Sequence, residues 1–251
     1  MSISNGLFRS KNRFDALEQE KAIEIIKQQA DSVFVGDEML VANRNMHFFE
    51  DPDFSNLLCI LAQHPHYQGM AWRLHILCWA VSMSLRVNGC LMECGVFRGF
   101  KSLFIVKYFG DRLRDRTFYL CDTFDGIDES LNEGSPISKQ EHRKVRLYDF
   151  VVHRFSEFSN VSVVRGSVPD SLSNLKITEL AFLHLDMNSF KAELGALEYL
   201  WDRIPQGGVI VLDDFGFLSH RAQLKNELPW FSHKGQIVME LPTGQGLVIK
   251  Q

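Results

Sequence analysis

The stretch Glu93-Cys94-Gly95-Val96-Phe97-Arg98-Gly99 puts a carboxylate and two glycines between an apolar run, residues 90–92, and a helix-like run, residues 102–109. Glycine permits a sharp turn and a close backbone approach, and the following helix starts with free N–H groups. A dinucleotide loop would carry a third glycine where Glu93 stands. A carboxylate there repels a pyrophosphate and welcomes an ammonium or sulfonium group, so the stretch suits S-adenosylmethionine better than NAD. Alternatively, Glu93 anchors the turn.

Similar groups recur at the ends of other β-rich runs. Residues 119–126, YLCDTFDG, place Asp122 where a carboxylate can accept both hydroxyls of a ribose; capping a turn is the plain alternative. Residues 163–172, VVRGSVPDSL, bring Gly166 and Ser167 to the next end, as an adenine slot or an ordinary loop. Residues 183–188, LHLDMN, and 209–216, VIVLDDFG, bring Asp186, Asp213 and Asp214. Three carboxylates in a half-buried cleft call for a cation, and hard oxygen donors without His or Cys favour Mg²⁺. Such an ion could bind neighbouring hydroxyls and acidify them. Otherwise Asp213 caps a helix and Asp214 is solvated.

These ends imply elements that bring them to one edge. From residue 90, short β-rich runs alternate with helical patterns, which describes a doubly wound, Rossmann-like α/β sheet. The runs 235–241 and 245–251, joined by Pro242-Thr243-Gly244, close it with an antiparallel hairpin. Ligands in such sheets bind at the carboxyl ends of the strands. Residues 1–89 form an N-terminal helical cap and residues 90–251 the core. Within the cap, residues from Asp15 to about Ala30 form an amphipathic helix, residues 35–58 a loop or cap, and residues 70–87 a long buried helix.

Taken together, ECGVFRG, CDTFDG, LHLDMN and PQGGVIVLDDFG resemble the macrocin-type O-methyltransferases, over roughly the last two thirds of the chain. The resemblance implies a class I methyltransferase sheet of seven strands, the last antiparallel. It implies S-adenosyl-L-methionine and Mg²⁺ as cofactors and a sugar or natural-product hydroxyl as acceptor. The cofactor set becomes Glu93, Gly95, Gly99, Ser102, Asp122, Thr123, Phe124, Gly166 and Ser167, with Asp186, Asp213 and Asp214 as metal ligands. It also implies a homo-oligomer and N-terminal helices that help close the site. Asn188 departs from the pattern: it stands where these enzymes carry a second acid resembling a general base, and an amide takes no proton. With Asp186, Asn188 marks the catalytic position. His184, Lys191 and His220 are candidate replacement bases; the plainer readings are a core residue in an apolar strand for His184, a solvated helix position for Lys191 and a helix cap for His220.

The 251 residues carry a net charge of -4, which gives no electrostatic argument for a nucleic-acid partner, and none is expected. Five cysteines without metal-type spacing read as buried free thiols in a reducing, cytoplasmic setting, and no segment reads as a membrane span. Arg44, His47, Phe48, Arg73, His75 and Trp79 either line an acceptor pocket or, more simply, pack the N-terminal region. Rival readings are a nicotinamide dehydrogenase, a catechol-type methyltransferase, and a cofactor-binding homologue that has lost transfer through Asn188.

Overall fold

The computed structural model describes residues 16–63, 65–131 and 146–251. Its contacts divide the chain into a unit ending at His75 and a unit from Ile76 to Gln251. The division falls inside a helix, earlier than the 89/90 boundary expected from composition.

In the first unit, α1 (Ala16–Gln29) fits the amphipathic pattern, whose start at Asp15 lies outside the described residues. Where a loop was expected, β1 (Val33–Gly36) and β2 (Met39–Ala42) pair as an antiparallel hairpin. Asp37 and Glu38 turn it with φ of 54° and 58°, values that two-residue hairpins require. Arg73 Nε holds Asp37 Oδ2 at 2.5 Å and so ties down the turn. Asp51 caps α2 (Pro52–Leu61) by accepting the amides of Asp53 and Phe54, with Pro52 in the first helical turn. After the short α3 (Pro65–Gly69), α4 (Ala71–Ser84) carries the chain from one unit to the other. Phe48 is buried and stacks on His75, so these two residues pack this unit, as does Arg73 through its ion pair.

The second unit alternates strands and helices: β3 (Cys90–Cys94), α5 (Phe100–Phe109), β4 (Phe118–Asp122), α6 (Leu147–Phe155), β5 (Val161–Arg165), β6 (Leu180–Leu185), α7 (Phe190–Leu200), β7 (Val209–Leu212), α8 (Arg221–His233), β8 (Met239–Glu240) and β9 (Gly246–Ile249). The sheet order is β5-β4-β3-β6-β7-β9-β8. Strands β3 to β7 are parallel, and β9 lies antiparallel between β7 and β8. This is the seven-stranded class I methyltransferase arrangement expected from the resemblance. All six residues of β6 and all four of β7 are buried, which suits central strands covered on both faces. Right-handed crossovers send α5 and α6 to one face and α7 to the other, because the strand order reverses between β3 and β6. That reversal opens the crevice at the carboxyl ends.

Cys78, Cys94 and Cys121 are buried free thiols, whereas Cys59 is exposed and Cys90 half-buried. Among the described residues, no helix is long and apolar enough to cross a membrane.

Candidate active site at the carboxyl edge of the sheet

The ends of β3, β4 and β5 are stitched together by one residue. Asp122 Oδ2 accepts the amides of Val96 at 2.7 Å and Phe97 at 2.8 Å, and its Oδ1 accepts that of Phe124 at 2.7 Å. Its carbonyl takes Gly166 N at 3.0 Å. Asp122 therefore shapes the glycine turn from the next strand, a role that spacing alone did not suggest. One lone pair of Oδ1, beyond a long 3.4 Å contact with Thr123, stays available to a hydroxyl.

Gly95 has φ of 92°, and a Cβ on it would run into the Asp186 carbonyl. Its freedom serves the approach of a neighbouring strand end, whereas the expectation was approach to a ligand. Gly99 starts α5 in the left-handed region, φ 71°, and a Cβ there would lie 2.6 Å from the Phe155 ring. Thr123 Oγ1 donates to the Gly126 carbonyl at 2.5 Å, and Phe124 is buried at φ 54°. The Ser167 carbonyl accepts Ser171 N at 2.8 Å, closing the loop after β5.

Behind the turn runs a buried charge network. Glu93, 2% exposed, accepts the Ser102 hydroxyl on Oε2 and meets His184 Nδ1 at 3.0 Å on Oε1. His184 Nε2 meets Asp213 Oδ1 at 3.2 Å. A carboxylate beside each ring nitrogen favours the doubly protonated ring, in which both nitrogens donate. Burial alone would depress His184, but the hydrogen bonds and charges of Asp213 and Glu93 outweigh it and raise it to about 9. Gln245 Nε2 adds a third donor to Asp213 at 3.1 Å from Oδ1.

Asp186, Asp213 and Asp214 converge as expected: one oxygen from each lies within 4.8 Å of the others. Lys101 Nζ sits on two of them, 2.6 Å from Asp186 Oδ2 and 2.5 Å from Asp213 Oδ2. Burial pushes the Asp186 carboxyl well above the usual range, against the pull of Lys101, and the Asp213 and Asp214 charges add to the push. The cluster thus demands positive charge. His220 Nε2 lies 3.9 Å from Asp214 Oδ2.

Of the replacement bases, His184 is enclosed with both nitrogens engaged, Lys191 is exposed, and His220 keeps 23% of its side chain open beside an acid. Asn188 stands at φ 56°, a left-handed conformation that Asn tolerates. Ser102 is fully buried with its hydroxyl on Glu93, so it supports that carboxylate from within. Sequence reasoning missed Lys101. The signal was a lysine in the first turn of a helix, where the backbone dipole disfavours it. It also missed a pair of buried acids, Glu193 and Glu227, behind the β6–α7 loop. Glu193 Oε1 accepts Met187 N at 3.0 Å and Gln223 Nε2 at 2.8 Å. Burial raises Glu227 to about 7, and neither of its oxygens meets a donor among the described residues. Burial, with the neighbouring Glu227, pushes the Glu193 carboxyl well above the usual range as well.

A family model described as macrocin-O-methyltransferase (TylF) matches residues 73–239. The chain is 28% identical over 160 residues to a mycinamicin III 3''-O-methyltransferase of Micromonospora griseorubida, covering 57% of this chain and 62% of that protein. It is 26% identical over 146 residues to a demethyldecarbamoylnovobiocin O-methyltransferase of Streptomyces niveus, covering 51% of this chain and 53% of that protein. The chain thus spans less than two thirds of the length of these relatives. The O-methyltransferase NovP shares the fold at a TM-score of 0.58 and 21% identity, over 71% of this chain and 79% of that one. The calicheamicin methyltransferase CalS11 does so at 0.55 and 15%, over 80% and 92%.

Proposed function

The chain belongs to the macrocin-O-methyltransferase family, and from that premise we propose that it methylates a hydroxyl oxygen of a sugar carried by a small natural product, using S-adenosylmethionine. The observation that carries this reading is the acceptor-rich edge of the sheet. Glu93, Asp122, Asp186, Asp213 and Asp214 all stand at or behind the carboxyl ends of the strands, beside the glycine turn. Such a set favours a ligand that offers an ammonium, a sulfonium and ribose hydroxyls, and it disfavours a dinucleotide pyrophosphate. The names of the relatives, each an O-methyltransferase, supply the acceptor class.

When bound, the cofactor supplies a methyl whose S–C bond breaks as the O–C bond forms, the electron pair staying on sulfur and the hydroxyl proton leaving to a base. The chain's part is alignment and proton removal. Asp122 fixes the turn over β3 and offers its remaining lone pair to a ribose hydroxyl. Gly166 and Ser167 border the same crevice at β5. For the base we choose His220, because it is open to solvent at 23% and lies near Asp214, which holds the imidazolium that forms. Asn188 positions the acceptor by hydrogen bonding in place of the acid.

The donor set for a divalent ion is complete in kind, but Lys101 already occupies two of the three carboxylates. The residues as they stand do not fit Mg²⁺, and no step is assigned to it.

Calorimetry with S-adenosylhomocysteine tests the cofactor reading, with micromolar binding expected and no heat at millimolar ligand overturning it. Formation of S-adenosylhomocysteine from S-adenosylmethionine and a panel of glycosylated acceptors tests transfer. The amide at Asn188 favours one other reading, a cofactor binder without transfer. Binding without turnover on any acceptor, also after Asn188→Asp, would select that reading.

A further inference from the structure

The three carboxylates that would hold a divalent ion are met by positive charge from the chain itself. We propose that the Lys101 ammonium occupies the cation seat of the Asp186–Asp213–Asp214 cluster and excludes divalent metal from it. Transfer then proceeds without added metal, a corollary that rests on the methyl-transfer reading.

The first argument is space. Lys101 Nζ lies 2.6 Å from Asp186 Oδ2 and 2.5 Å from Asp213 Oδ2. A magnesium ion binds carboxylate oxygens at about 2.1 Å, so an ion on these two oxygens would take the volume the ammonium fills. Two cations forced together in a half-buried site also repel strongly. The Lys101 side chain is 11% exposed, and moving it aside would break both ion pairs in surroundings that weakly solvate the freed charges.

The second argument is the state of Asp213. Its Oδ1 already lies 3.2 Å from His184 Nε2 and receives the Gln245 amide at 3.1 Å, while Oδ2 receives Lys101. Few of its lone pairs remain for an incoming ion, which must itself give up tightly held water.

The third is position. Lys101 is the second residue of α5, after Gly99 as the capping residue, where the helix end is positive. A lysine there is locally unfavourable, and the two carboxylates that face it offset that cost. A site where a local rule is broken in this way is where a functional group belongs.

The test needs no acceptor. Metal-stripped wild type, Lys101→Ala and Lys101→Arg are titrated with Mn²⁺ near neutral pH, and free Mn²⁺ is read by electron paramagnetic resonance. Lys101→Ala should gain a site at least about tenfold tighter than any in the wild type, because removing the cation frees the carboxylates. Adding Asp213→Asn should abolish that site, and Lys101→Arg should bind as weakly as wild type. Equal Mn²⁺ affinity in wild type and Lys101→Ala overturns the proposal. Lys101→Met, which keeps the apolar stem, replaces the alanine variant should that one not fold. A wild-type Mn²⁺ site that Asp213→Asn removes likewise overturns the proposal whatever the variants do, and its absence upholds the proposal only together with the site gained by Lys101→Ala. S-adenosylhomocysteine binding, measured separately, shows whether the methyl-transfer reading stands.

Discussion

At the scale of single residues, His184 has the most definite physical consequence. It is fully buried between two carboxylates, and its value of about 9 lies above the free value of 6.5. Its stabilising contribution is therefore complete below pH 6.5 and is lost as pH rises through 9. The shift corresponds to about 3 kcal/mol in order of magnitude. We expect nuclear magnetic resonance to show the imidazole charged at neutral pH, and the melting temperature to fall between pH 6.5 and 9. His184→Gln should flatten that part of the profile. At the reacting end, His220→Ala should lower kcat about a hundredfold or more with little change in KM, as measured by S-adenosylhomocysteine release, because only proton removal is touched.

Residue types reveal less than residue partners. Asp122 and the three aspartates were legible because acids at strand ends are unusual. The cap of Asp122 on its own turn, through Phe124, was legible too; its hold on Val96 and Phe97 was not, because those amides come from 26 and 25 residues away in sequence. His184 looked like an ordinary core histidine. Only the register Glu93↔His184, with Val211 beyond, shows that it must face a buried acid on the adjacent strand.

At the scale of elements, the junctions carry the constraints. Gly95 lets the end of β3 pass against the Asp186 carbonyl after β6, at a φ of 92° that a side chain resists. Gly95→Ala should cost about 3 kcal/mol or more, read by chemical denaturation, through clash and strain together. Helices α7 and α8 meet through the buried pair Glu193 and Glu227. Since the folded value of Glu227, about 7, exceeds its free value of 4.5, the folded state holds the proton longer than the unfolded state. Stability should fall as pH rises from 4.5 to 7 and then level off. Glu227→Gln should therefore raise the melting temperature at pH about 8, by up to about 3 kcal/mol of stability, and much less at pH about 5.

The parallel strands were legible from their unbroken apolar runs, and the terminal hairpin from Pro242-Thr243-Gly244. The β1–β2 hairpin was not, because Asp37-Glu38 takes left-handed conformations without the glycine or asparagine that usually signals them. Arg73, contributed from 36 residues downstream, holds that turn instead.

At the scale of the whole molecule, the account reduces to one placement: a sulfonium nucleoside over the crevice where the strand order reverses. Strand order is a long-range property, yet it was legible through the resemblance because the four motifs fall in the family's order. What covers the crevice was not legible, since acceptor loops obey no spacing rule. If the cofactor binds the folded state, S-adenosylhomocysteine at a hundred times its Kd should stabilise the protein by about 2.7 kcal/mol, visible as a raised melting temperature.

The most direct measurement is a crystal structure of the protein grown with S-adenosylhomocysteine. The account predicts density across the carboxyl ends of β3, β4 and β5, with the ribose beside Asp122 and the sulfur turned toward Asp186 and Asp214. Density elsewhere, or a crevice without ligand at saturating concentration, would contradict it.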